Sequence, residues 1–227
     1  MANAPWCRPQ PFEHAAFAPA CRGHSKKKRF RPSEQLRCDV EEKRAAFLEE
    51  VKNIAPDRLI FIDESGCNIA MSPTYGRAPR GQRVLDHKPA NWGKNISIVG
   101  AVRADRVLAH QTFDGAVNGP KFIEFVRRRL VPRLYPGDVV VLDNLRAHHA
   151  PEVRSLVENT GARLLFLPPY SPDFSPIEPC WAFLKNWLRK LKERVPDRLK
   201  AAIVRGLRRV TTRHLTSWFR YCGYHFK

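Results

Sequence analysis

The sequence predicts an α/β chain built on a mixed five-stranded sheet flanked by helices. Three observations carry that reading. Two short, wholly apolar β-branched-rich runs, 59–62 and 139–142, each end at an acid, as strands buried on both faces do. Two further runs, 96–102 and 107–113, are separated only by Arg103-Ala104-Asp105-Arg106, the length of a hairpin turn. Finally, Ile177, Trp181, Leu184, Leu188 and Leu191 step by four and three, placing one apolar stripe along a helix.

The elements follow in order. Val40, Ala46, Phe47 and Val51 predict a helix over 39–53. Leu59-Ile60-Phe61-Ile62-Asp63 is the first strand, and residues 64–94, rich in Gly, Pro and Arg, read as a long loop or irregular hairpin. After the antiparallel pair comes a helix over 119–130, closed by Pro132. Asp138 through Asp143 is the fourth strand; Pro151 opens a helix to about 159, stopped by Gly161. A fifth strand over 163–167 ends at Pro168-Pro169. Strands joined by short links pair antiparallel, whereas the two later strands need helical crossovers and so lie parallel. That order is the ribonuclease H-like arrangement. The division expected is a loose arm at 1–25, a basic linker and helix at 26–57, the sheet domain at 58–192 and a basic helical extension at 193–227.

Composition narrows the partners. The 227 residues carry 40 Lys plus Arg against 22 Asp plus Glu, a formal charge of +18, which points to a polyanion, most simply nucleic acid. Residues 182–227 hold 13 of those cations and only Glu193 and Asp197 as acids. Leu199, Ala202, Ile203, Leu207 and Val210 still recur at helical spacing there, so the tail reads as amphipathic helix. No apolar run approaches the roughly 20 residues of a membrane helix. The six cysteines form no Cys-x-x-Cys pair, and no secretion signal opens the chain, so the expected compartment is a reducing cytoplasm.

Three acids have positions that suit chemistry. Asp63 and Asp143 end strands that are neighbours in this topology, and two carboxylates side by side are costly without a cation between them. Glu178 opens the last helix of the block, off the Ile177 stripe. Three hard carboxylates suit Mg²⁺ or Mn²⁺, and a pair of such ions serves phosphoryl transfer. Each acid also has a purely structural reading. Asp63 caps a turn, Asp143-Asn144 makes one, and Ser175-Pro176-Ile177-Glu178 fits a capping box. Lys185 and Arg189 follow Glu178 by seven and eleven residues and share its helical face, either to bind phosphate or as a solvated basic surface. His148 and His149 are candidates for a ligand or base or for structural hydrogen bonding, and Trp181 reads as core.

Ile62-Asp63-Glu64-Ser65-Gly66, Leu142-Asp143-Asn144 with His148, and the stretch from Leu167 through Pro168-Pro169-Tyr170-Ser171-Pro172-Asp173-Phe174-Ser175-Pro176-Ile177 to Glu178 resemble the DDE transposases. More closely, they resemble the bacterial insertion sequence 630 family of the mariner superfamily. The 34 residues between Asp143 and Glu178 match its spacing. Lys26, Lys27 and Lys28, with Glu34-Gln35, resemble its linker. The resemblance implies that Asp63, Asp143 and Glu178 hold two divalent ions, and that the chain cleaves double-stranded DNA at an element's end and joins the freed 3′-hydroxyl to a target. It also implies a helix-turn-helix DNA-binding segment or companion chain, which residues 1–25 do not resemble, and a homodimer. The family's Leu and Asn are replaced by Phe174 and Ser175. Two other readings remain: a ribonuclease H-type nuclease, for which Glu124 is the only further acid on the first crossover helix, and a non-catalytic DNA-binding remnant.

Overall fold

The computed structural model describes residues 32–226; Lys26, Lys27 and Lys28 lie outside them. After a 3₁₀ turn, α1 (Cys38–Lys52) leads into the sheet strands β1 (Leu59–Cys67), β2 (Ile96–Val102) and β3 (Val107–Asp114). Next come α2 (Gly119–Phe125), β4 (Val139–Leu142), α3 (Pro151–Glu158), β5 (Arg163–Phe166) and α4 (Ile177–Leu191). Helices α5 (Pro196–Arg208) and α6 (Thr212–Tyr221) complete the fold. The sheet order is β3-β2-β1-β4-β5, with β1–β2 and β2–β3 antiparallel and β1–β4 and β4–β5 parallel. This is the predicted mixed sheet.

Strand pleating sends alternate residues to opposite faces, which explains why β1 and β4 are apolar throughout. Leu59, Phe61, Val139 and Val141 join a core formed with α1, α4, α5 and α6. Ile60, Ile62, Val140 and Leu142 join another formed with α2 and α3. The basic tail expected as an extension thus lays Leu199, Ile203, Leu207, Leu215 and Phe219 into the same core as the sheet. Helix α5 meets α4 at Gly206, where a Cβ would lie 2.5 Å from Leu184 Cδ1. A larger residue there would force Leu184 and Trp187 to shift.

Four local expectations are corrected. Asp63 does not end β1: the strand runs on to Cys67, because β2 continues to pair with it there, whereas β4 accompanies it only from Leu59 to Phe61. The helix over 119–130 is α-helical only to Phe125. A π-turn (Val126–Leu130) and a 3₁₀ turn containing Pro132 complete it, keeping Val126 and Leu130 buried. The apolar stripe of α4 ends at Leu188, since Leu191 is exposed. Ser175 forms no side-chain cap. Pro176 precedes α4 already in helical conformation, and the Glu178 N–H donates to the Ser175 carbonyl at 3.2 Å. Among the described residues no helix is long and apolar enough to cross a membrane.

Candidate active site

The departure of β4 from β1 creates the site. Beyond Phe61 the two parallel strands no longer pair, and a crevice opens at their carboxyl ends, the usual ligand position in open α/β sheets. It is a cleft of about 630 Å³ whose walls include Asp63, Asp143 and Glu178. β1 supplies Asp63, the turn after β4 supplies Asp143, and the first turn of α4 supplies Glu178. All three sequence-predicted acids therefore face one space.

Each is held by a different neighbour. Asp63 shares the pleat face of Phe61 and lies toward α4, where Trp181 Nε1–H donates to its Oδ2 at 2.9 Å. Its cross-strand partner is Gly100, and a Cβ there would come within 2.6 Å of Trp181 Cη2. Gly100 therefore makes room for the indole that holds Asp63. Glu64, next in the strand, points to the other face, where its Oε1 lies 3.6 Å from His148 Nε2. His148 is buried, packs with its ring tilted against Phe122 at 4.2 Å between centroids and approaches Asp143 Oδ1 with Nδ1 at 2.5 Å. Asp143 Oδ1 also accepts from Leu145 N–H at 3.2 Å, so the expected Asx-type turn and the site role coexist in one carboxylate.

The electrostatics follow from this packing. Burial pushes the Asp63 carboxyl up to about 7, with Glu178 and Asp143 adding repulsion and Trp181 opposing. Burial and Asp143 also raise Glu178, against the pull of Lys185. Burial acts upward on Asp143 too, but the His148 hydrogen bond and charge hold it below the ordinary carboxylate range. Burial alone would lower His148; its contact with Asp143 and the nearby Glu64 carboxylate instead lift it to about 9, which favours the protonated ring.

The donor set fits a hard divalent cation: three carboxylates share one cleft, and two of them are destabilised as anions by burial and by one another. Among the described residues no three His, Cys, Asp or Glu side chains stand together as a finished cage. Asp63 is engaged with an indole and Asp143 with an imidazole, so ion binding would draw on those acids from their present partners.

The segment that delivers Glu178 is anchored from afar. Arg44 of α1 bonds both carboxylate oxygens of Asp173, at 3.0 and 2.7 Å, and Ser171 Oγ at 2.6 Å, while its guanidinium lies 4.0 Å from the Phe174 ring centroid. Phe47 stacks on Phe174, and Gln35 Nε2 donates to the Tyr170 carbonyl. Lys185 and Arg189 are partly buried; Lys185 acts on Glu178, and both act on Cys67 at the end of β1. Neither is part of the cleft wall. Glu124 pairs with Arg128 at 3.5 Å on the exposed face of α2, outside the cleft, as a solvated acid would.

A sheet of this order with three acids at its crevice defines the ribonuclease H-like class. A family model described as DDE superfamily endonuclease matches residues 58–200, and the chain belongs to that family. The fold is shared with a Mos1 transposase paired-end complex with left transposon end, at TM-score 0.69 and 17% identity over 88% of this chain and 63% of that one. A mariner Mos1 paired end complex with Mg matches at TM-score 0.69 and 18% identity, covering 88% of this chain and 65% of the other. The catalytic domain of Mos1 mariner transposase matches at TM-score 0.59 and 14% identity over 81% and 86%. The chain thus spans less than two thirds of the length of the transposase chains in these paired-end complexes. No curated protein matches the sequence.

Proposed function

We propose that this chain is the catalytic part of a transposase, of the insertion sequence 630 type within the mariner superfamily, acting on double-stranded DNA in the cytoplasm. The observation that carries the reading is the convergence of Asp63, Asp143 and Glu178 on one cleft from three separate elements. Two bound Mg²⁺ or Mn²⁺ ions would supply Lewis-acid activation of the attacking oxygen and charge neutralisation at the leaving oxygen. The chain's own residues hold the ligands: Trp181 orients Asp63, His148 orients Asp143, and the Arg44–Asp173 clamp fixes the segment leading to Glu178. Lys185, near Glu178, and Arg189, near the end of β1, would meet DNA phosphates, and the sequence adds Lys26, Lys27 and Lys28. Recognition of element ends falls to a helix-turn-helix segment or companion chain, and pairing of two ends to a homodimer. In this reading residues 1–25 are an arm, 26–57 a basic linker and helix, 58–192 the catalytic domain and 193–227 its basic helical extension.

The test is incubation with a labelled terminal-repeat duplex and Mn²⁺. Nicking by the parent chain, abolished in Asp63→Asn and in Asp143→Asn, is expected. Binding without cleavage, even after a DNA-binding module is added, would make the chain a non-catalytic remnant. Equal loss in Glu124→Gln would favour a ribonuclease H-type nuclease.

A further inference from the structure

The three carboxylates account for one side of the cleft only. Much of the rest is apolar, with Leu145, Leu167, Pro168, Pro169, Tyr170 and Pro172 on the wall and Asn144, Ser171 and Ser175 as its uncharged polar groups. Two of these side chains are large, apolar and open to solvent: Tyr170 is 46% and Leu145 49% exposed. Tyr170 is also one of only two non-glycine residues with positive φ among those described, at 55°. An L-residue is strained in that conformation, whereas Gly would not be. The surroundings enforce it: Pro168-Pro169 and Pro172 stiffen both flanks, Gln35 Nε2 grips the Tyr170 carbonyl at 2.5 Å, and Ser171 Oγ donates to the Pro169 carbonyl at 3.0 Å. The result is a rigid backbone holding an aromatic ring at the lip of the site, with Leu145 on the wall next to Asp143.

We propose that Tyr170 is a base-stacking platform: the cleft takes one unpaired nucleobase against this ring, from the strand whose phosphate lies at the carboxylates. The proposal rests on the DNA-acting reading above. A stacked ring accepts any base through its π-face, and the gain is about 5- to 150-fold in affinity per base. A base inside a duplex cannot reach such a pocket, so the occupant is a frayed, flipped or single-stranded nucleotide. Complementary charge favours this occupant over an apolar peptide, since the chain carries +18 and Lys185 lies near Glu178.

The experiment measures binding of dye-labelled single-stranded oligonucleotides by anisotropy in EDTA, with one abasic site moved along the strand. The parent chain should show one position where the missing base weakens binding about 5- to 150-fold. Tyr170→Phe should keep that position dependence. Tyr170→Ala should lose it while retaining the salt slope set by phosphate contacts. Tyr170→Leu, which keeps apolar bulk without a ring face, should lose it as well. The same abasic penalty in Tyr170→Ala and Tyr170→Leu as in the parent would overturn the proposal, as would tight binding by the parent that is indifferent to every abasic position; both leave the DNA-acting reading standing. Failure of the parent chain to bind either single-stranded or duplex DNA would overturn both.

Discussion

Replacing Asp63 by Asn should stabilise the ion-free protein, and the structure says by how much and at which pH. Burial lifts the Asp63 carboxyl from its ordinary 3.8 to about 7, so the folded state holds a proton that the unfolded state has lost. Between those values the folded chain binds more protons. Stability is therefore fullest below about pH 4, falls as pH rises, and reaches its floor above about pH 7. About three pH units at 1.36 kcal/mol each set a ceiling near 4 kcal/mol at pH 8. Asn is neutral, nearly the same shape, and its carbonyl still accepts from Trp181 Nε1–H. Urea unfolding in EDTA should show Asp63→Asn more stable than the parent at about pH 8, with the gap closing toward pH 4. Adding Mg²⁺ should stabilise the parent and leave the variant nearly unmoved, because a ligand that binds only the folded state adds stability. A variant less stable than the parent at every pH would refute the claim that this carboxylate is held at a cost for the sake of a cation.

Other outcomes follow from the same geometry. Gly100→Ala places a Cβ 2.6 Å from Trp181 and should cost about 1–3 kcal/mol in urea unfolding while displacing the indole from Asp63, visible as a shift in tryptophan emission. Arg44→Ala removes a paired, partly buried guanidinium and should cost about 1–3 kcal/mol, with faster proteolysis of residues 168–176 as a local readout. His148→Ala empties a site packed on Phe122 and removes the cation from Asp143; a loss of about 2–4 kcal/mol is expected, together with an upward shift of the Asp143 titration by carboxyl NMR. Lys185→Ala and Arg189→Ala should each reduce the slope of log K against log salt for duplex DNA by about 0.9 if each meets one phosphate.

Much of this fold was legible because its signals are local. Val139–Leu142 is apolar at every position since both sheet faces are covered, and the four-three stepping of Ile177, Trp181, Leu184 and Leu188 matches the buried face of α4. Asp143 and Glu178 were legible because each sits where a local element changes, and Asp63 because an acid closes the wholly apolar run of β1. What escaped is long-range. Glu64-Ser65-Gly66 looks like the start of a loop, yet β2 extends β1 through it, which a single strand's composition cannot reveal. The Arg44–Asp173 clamp joins residues 129 apart in sequence and has no local mark. Trp181 belongs to the core, as its place on the stripe suggests, but it also holds Asp63. The clue was Gly100 in the interior of a buried strand, since Gly inside a strand often marks a close approach. The pairing of His148 with Glu64 follows from the pleat once Asp63 is assigned to the α4 face, because adjacent strand residues point oppositely.

Anomalous diffraction from crystals grown with Mn²⁺ bears most directly on the whole account. A manganese peak within bonding distance of Asp63, Asp143 and Glu178 oxygens, with the Trp181 or His148 contact lengthened, is the predicted result. A cleft without manganese at saturating ion, or manganese bound elsewhere while these acids keep their present partners, would contradict it.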